Sequence, residues 1–159
     1  MTLAQAEFER SRRYGNILSV ILLDLDHFKH VNDNYGHATG DRVLRALVGI
    51  CRSTLRTIDM VARYGGEEFV ILLPETEMAG ARFTAERLRQ RIEAATMSTE
   101  NGDLAITASF GVACLDQAQL MSVEKLLDHV DQALYRIKSA GRNRVVVCED
   151  QAISATVCG

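Results

Sequence analysis

Hydrophobic and polar positions along this chain fall into blocks with two different periods. Residues 17–23 are apolar at every position except Ser19, and the run stops at Asp24. So short an apolar run, rich in β-formers and apolar on both faces, predicts a buried central strand. Ahead of it, Thr2-Leu3-Ala4-Gln5 has the form of a capping box, and Gly15 supplies a stop for the helix it opens. Residues 27–35 read as one or two polar helical turns. Gly40-Asp41 then begins a longer helix that keeps Val43, Leu44, Leu47, Ile50, Cys51 and Leu55 on one face.

The second half repeats the contrast. Residues 60–64 and 69–73 form the arms of a hairpin, with Gly65-Gly66 at the turn, where positive φ is expected. Met78, Ala81, Ala85, Leu88, Ile92 and Ala95 follow in steps of three and four, a clear amphipathic helix. Residues 106–113 alternate Ile106, Ala108, Phe110 and Val112 against Thr107, Ser109 and Gly111, a half-buried strand. Leu126, Leu127, Val130, Ala133, Leu134 and Ile137 make a last helix, ended by Gly141, and residues 145–148 a last short strand. The order α-β-α-α-β-β-α-β-α-β predicts an α+β domain, with a mixed, mainly antiparallel sheet of four or five strands and helices on one face.

Composition narrows the class without reaching chemistry. The 159 residues include one proline, which favours a single domain over residues 1–149 with a weakly ordered tail at 150–159. Apolar residues make up 47% and charged residues 25%, which excludes wholesale disorder. A net charge of −3 argues against a broad nucleic-acid surface. No apolar run is long enough to span a bilayer and no secretory signal opens the chain, so a cytoplasmic protein without membrane insertion is expected. The four cysteines contain no CxxC pair and read as buried or incidental thiols.

Two segments carry chemistry. Asp24-Leu25-Asp26-His27-Phe28-Lys29 places two acids at a strand-to-helix junction, where a hard divalent cation can neutralise a carboxylate that would otherwise be costly to bury. The same junction offers backbone N–H groups to a phosphate. The plainer alternative is that Asp24 or Asp26 caps the following helix. Arg63-Tyr64-Gly65-Gly66-Glu67-Glu68-Phe69 sets two carboxylates beside a turn that another molecule can approach closely. Taken alone, such a turn is usually a solvated hairpin tip.

In combination they closely resemble the GGDEF family of diguanylate cyclases. The likeness includes Asn32-Asp33-x-Tyr35-Gly36-His37, Gly40-Asp41, Ser109-Phe110-Gly111-Val112-Ala113, Asp131-Gln132-Ala133-Leu134-Tyr135 and Lys138-x-x-Gly141-Arg142-Asn143. It covers roughly residues 17–147. The resemblance implies a nucleotidyl-cyclase-like fold with an active-site hairpin. It also implies condensation of two GTP into cyclic di-GMP, with two pyrophosphates released, across a head-to-tail homodimer.

The resemblance further implies Mg2+ (or Mn2+), two ions per GTP site, held by Asp24, the Leu25 carbonyl and Glu67. Glu67 is the implied base for the 3′-OH, with Glu68 in support; the division between these two glutamates stays open. Lys29 would stabilise phosphate charge, while His27 and Phe28 lend backbone N–H groups. Asn32 and Asp41 would read guanine, His37, Gly65 and Gly66 would line the site, and Lys138 and Arg142, taken as one helical turn apart, would clamp the outer phosphates. Arg56 and Asp59 match the family's RxxD product-inhibition site, which Arg87 could complete from a neighbouring subunit.

Two departures stand out. The third signature letter is Glu67, an accepted variant that keeps the carboxylate, and the DxLTGLxNR opening of such domains has no match before residue 17. An upstream sensory domain is expected in the full-length protein, which is expected to be bacterial. The rival reading is a module that binds GTP or cyclic di-GMP without turnover. An adenylyl-cyclase-like enzyme is disfavoured by Asn32 and Asp41.

Overall fold

A computed structural model describes residues 3–99, 102–115, 123–139 and 141–148. The central strand is β1 (Leu18–Leu25), buried along its whole length. Between α1 (Leu3–Tyr14) and this strand, Gly15 takes φ 67°, the left-handed geometry that ends the helix. After β1 come α2 (Phe28–Tyr35) and α3 (His37–Thr54), then β2 (Met60–Arg63), β3 (Glu68–Pro74) and α4 (Met78–Glu93). The chain continues through β4 (Thr96–Thr99), β5 (Gly102–Ala105), β6 (Ala108–Leu115), α5 (Val123–Ser139) and β7 (Val145–Val147).

Five strands pair in the order β2-β3-β1-β6-β7. All neighbours are antiparallel except β6 and β7, so the sheet is mixed and mainly antiparallel, as expected. β4 and β5 form a separate two-stranded hairpin that the sequence pattern does not signal. Their four-residue segments are polar and largely exposed, so they carry no buried period to read.

The helices cover both faces of the sheet rather than one. Ile21, Leu23 and Leu25 of β1 pack with Phe28, Val43, Leu47, Ala85 and Leu88 from α2, α3 and α4. Val20 and Leu22 point the other way and pack with Phe8 of α1 and Val130 and Leu134 of α5. A strand apolar on both faces requires two cover layers, so the composition of β1 already contradicts a one-sided arrangement.

Two boundaries also shift. α3 begins at His37, after Gly36 turns the chain at φ 78°, rather than at Gly40-Asp41. Gly65 and Gly66 both lie outside the positive-φ region expected of them. The Thr2 capping box, the 150–159 tail and Cys158 lie outside the described residues. Cys51 is buried, and burial pushes its thiol up to about 12, in keeping with an inert core thiol.

Gly111 sits where β6 passes under α5. A Cβ there would stand 2.6 Å from Val130 Cγ1 and 3.0 Å from the Val130 carbonyl oxygen. Gly111→Ala is therefore expected to lower unfolding free energy by about 1–3 kcal/mol in chemical denaturation. Gly49→Ala is expected to act in the opposite direction. Gly49 lies inside α3 with open space around it, so alanine there gains up to about 1 kcal/mol of helix propensity.

Candidate functional site

The site forms where β1 ends. Asp24 is not the terminus of the strand; it lies inside the ladder, opposite Glu68 on β3 and Ser109 on β6. The side chain is almost fully buried, and its Oδ2 accepts a hydrogen bond from Lys138 Nζ of α5 at 2.5 Å. Burial is the main force on this carboxyl and pushes it up to about 6. Lys138 pulls against that shift, while the charges of Glu67 and Glu68 add to it.

The glutamates reach Asp24 because the hairpin folds back on itself. Tyr64 and Gly65 donate their N–H groups to the Glu68 carbonyl, at 2.8 and 3.3 Å, and Leu25 donates its N–H to the Glu67 carbonyl at 3.3 Å. Arg63 donates to the Gly66 carbonyl through both Nε (2.9 Å) and Nη2 (2.6 Å), bracing the turn from one side. The glycines serve space rather than φ. A Cβ on Gly65 would lie 2.9 Å from Glu68 Oε2, and Gly66 faces open space.

Beside these acids lies a cleft of about 420 Å³, lined by Phe28, Lys29, Asn32, His37, Asp41, Leu44, Arg63, Gly66 and Glu67. Seven of the residues expected at the site thus share one cavity. Asn32 enters from α2 and Asp41 from α3, and the missing side chain of Gly40 makes room: a Cβ there would stand 2.0 Å from Asn32 Oδ1. At the start of α2, His27 caps with φ 57° and no side-chain hydrogen bond, so the first-turn N–H groups have no side-chain partner at the cap. Lys29 is exposed and makes no hydrogen bond or ion pair among the described residues.

Other expectations change. Neither Asp24 nor Asp26 caps α2. Asp26 is buried and accepts hydrogen bonds from Thr107, Ser109 and the Asn143 backbone, so it is a structural acceptor. Lys138 and Arg142 do not stand on one helical turn. α5 ends at Ser139, Gly141 takes φ 122°, and Arg142 at φ 49° donates its N–H to the Ile137 carbonyl.

Arg63, Leu44 and Gly40 join the site without a role that the sequence assigns, and Asp26, by sequence one of two acids placed for a divalent cation, is instead engaged by protein donors. Arg63 stands next to the Gly-Gly turn and was open to discovery there. Leu44 carries only the signal of a core-facing helix position, and nothing local marks the partners of Asp26.

The RxxD pair lies at the other end of the sheet. Arg56 Nη2 binds Asp59 Oδ1 at 2.7 Å, the Pro74 carbonyl at 3.2 Å and Thr76 Oγ1 at 2.6 Å. Pro74 ends β3, which Glu68 begins, so the two sites are about 20 Å apart along one strand. Arg87 of α4 donates to the Thr54 carbonyl at 2.7 Å, which places it near Arg56 within the same chain.

Among the described residues no three His, Cys, Asp or Glu side chains close tightly enough to hold a metal by themselves. An open set of carboxylates next to a polar cleft suits Mg2+, which retains water and takes substrate phosphate oxygens. The excess negative charge around buried Asp24 is the feature that fits a cation, and Lys138 already stands against it.

Known proteins place the chain in a family. The chain is 43% identical over 143 residues to the diguanylate cyclase DgcP of Pseudomonas aeruginosa, covering 90% of this chain and 21% of that protein. It is 39% identical over 140 residues to the response regulator PleD of Caulobacter vibrioides, covering 87% and 31%. The chain thus spans about a fifth to a third of the length of these curated relatives. Among solved structures, the GGDEF domain of DgcB from Caulobacter crescentus in complex with c-di-GMP superposes with a TM-score of 0.84 at 32% identity, covering 92% of this chain and 86% of that one. The active GGEEF domain of a diguanylate cyclase from Vibrio cholerae gives 0.83 at 35% identity, covering 92% of each. Residues 2–144 match the family described as diguanylate cyclase, GGDEF domain, and the chain belongs to that family.

Proposed function

We propose that this domain condenses two GTP molecules into cyclic di-GMP with release of two pyrophosphates. The observation that carries the reading is the convergence of Asp24, Glu67 and Glu68 beside a cleft that holds Lys29, Asn32 and Asp41. Asp41 supplies a carboxylate acceptor for guanine N1–H and the 2-amino group, and the Asn32 amide complements it. Adenine lacks that donor pair and would leave Asp41 unpaired, which disfavours it.

In the reaction a ribose 3′-oxygen forms a bond to an α-phosphorus, and the bond from that phosphorus to the bridging oxygen breaks, freeing pyrophosphate. Glu67 takes the 3′-OH proton and Glu68 supports the charge around it. Asp24, the Leu25 carbonyl and Glu67 are the groups that would hold Mg2+ or Mn2+, whose chemistry is to neutralise phosphate charge. Lys29 and the uncapped N–H groups of Phe28 and its neighbours bind phosphate oxygens. Lys138, which pairs with Asp24 beside the cleft, and Arg142 bind the outer phosphates. One cleft with one set of base-reading groups holds a single nucleotide, so the reaction needs two protomers face to face. Control by a sensory domain belongs to the same proposal, supported by longer relatives that include a response regulator.

Incubation with GTP and Mg2+ followed by nucleotide separation is expected to yield cyclic di-GMP. Retained GTP with no cyclic product at high protein concentration would instead identify a binding module. Glu67→Gln is expected to lower kcat by about 10²–10⁴-fold while GTP still binds. Full turnover in that variant would remove Glu67 from the mechanism.

Product inhibition is proposed at Arg56 and Asp59, with Arg87 nearby. The Arg56 guanidinium can stack on guanine and pair with phosphate. Arg56→Ala is expected to raise the concentration of cyclic di-GMP needed for half-inhibition by at least about tenfold, with initial rates unchanged. Equal product sensitivity in wild type and variant would sink the assignment.

Asp24 also links the site to pH. Its folded pKa of about 6 lies above the ordinary 3.8, so the ionised form works against folding. The stability it contributes is full below about pH 4 and is lost as pH rises through about 6. Thermal melts of metal-free protein are expected to show this loss in wild type and not in Asp24→Asn. Added Mg2+ should raise the wild-type midpoint more at neutral pH than at about pH 5, and leave the variant unmoved.

A further inference from the structure

Asp26 differs from Asp24 in having no oxygen to spare. Its Oδ1 accepts Ser109 Oγ at 2.7 Å, and its Oδ2 accepts Thr107 Oγ1 at 2.8 Å and the Asn143 backbone N–H at 3.0 Å. The carboxylate therefore joins three pieces of chain: the end of β1, the start of β6 and the segment 141–144 that follows α5. An acceptor-only group suits three converging donors, whereas an amide would direct its own N–H groups at one of them.

The tethered segment is conformationally costly. Gly141, Arg142 and Asn143 follow one another at φ 122°, 49° and 44°. Two successive non-glycine residues in the left-handed region persist only where surrounding contacts over-determine them. Those contacts are present. The Arg142 N–H reaches the Ile137 carbonyl at 3.1 Å, and the Arg144 carbonyl accepts the Phe110 N–H at 2.9 Å. The Asn143 side chain accepts from Arg89 Nη1 at 2.9 Å and donates to Glu93 at 2.7 Å. Among the described residues, the Asp26 contact is the one hydrogen bond from this segment to the end of the strand that carries Asp24.

We propose that Asp26 is a positioning residue that holds the 138–142 phosphate arm over the end of β1. The proposal rests on the reading that Lys138 and Arg142 engage the outer phosphates of GTP. Asp26 acts through the Asn143 backbone and touches neither metal nor nucleotide. It predicts a defect in phosphate binding with guanine recognition intact, because Asn32 and Asp41 stand on α2 and α3, away from the clasp.

Titration calorimetry of the full chain with Mg2+ and either GTP or GMP tests it. Asp26→Asn is expected to weaken GTP binding by about tenfold, the usual consequence of losing a hydrogen bond to a charged group, and to leave GMP binding within about twofold. In the double variant with Arg142→Ala, Asp26→Asn should cost little beyond Arg142→Ala alone, since both act on one arm. Thr107→Val, which removes one donor and keeps Asp26, should give a smaller loss with the same GTP selectivity, and serves if Asp26→Asn does not fold. Equal losses for GTP and GMP, unchanged GTP affinity, or additive effects in the double variant would each overturn the proposal. A wild type that bound GMP and GTP equally would show instead that the phosphate-arm reading itself is wrong, and this one with it.

Discussion

A carboxylate inside the central strand is the constraint on which the rest of this domain turns. Asp24 is 3% exposed, and Glu68 stands directly opposite it on the neighbouring strand. Burial and like charge both oppose ionisation, so the position calls for a compensating cation. Lys138, delivered by the last turns of α5, is such a cation. The position therefore sits between two demands, a fold that is more stable with a neutral or paired carboxyl and a chemistry that needs an anion. Retaining a costly acid at the end of a buried strand makes physical sense where a metal and a phosphate are to be bound beside it.

The two faces of the sheet divide the remaining work. The α2–α3 side supplies the cleft, with Asn32 admitted by the missing side chain of Gly40 and Asp41 opposite it. The α5 side supplies cations and the clasp at Asp26. The hairpin between β2 and β3 joins the faces by placing Glu67 in the cleft and Glu68 in the ladder, one residue apart. At the far end of β3, Arg56 holds the strand terminus through the Pro74 carbonyl and Thr76. The same strand thus connects the reaction site to the region proposed to bind product.

Much of this architecture was legible in the chain. The all-apolar run of β1, the Gly-Gly hairpin and the three- and four-residue steps of α4 each announce an element, because burial imposes a period on whatever lies against the core. The β4–β5 hairpin has no such period and passed unseen. Gly65 and Gly66 were correctly placed at a turn; the positive φ expected of them is absent, while the open space beside Gly66 accords with the close approach also expected there. Lys138 and Arg142 were rightly grouped as cations, yet their four-residue spacing suggested a helical turn that Gly141 breaks.

By itself, the sequence determined the fold class, the order of the elements that carry a buried period and, through the family resemblance, seven of the nine residues that line the cleft. Those follow from local pattern and from motifs whose members lie within a few residues of one another. The family resemblance singled out Asp24 over Asp26, but only the tertiary structure shows the physical difference between the two neighbouring acids. Asp24 and Asp26 are two residues apart and chemically identical, but one meets Lys138 and the glutamates while the other meets Thr107, Ser109 and Asn143. The difference lies in partners that stand tens of positions or more away, up to 117 for Asn143, which no local pattern encodes.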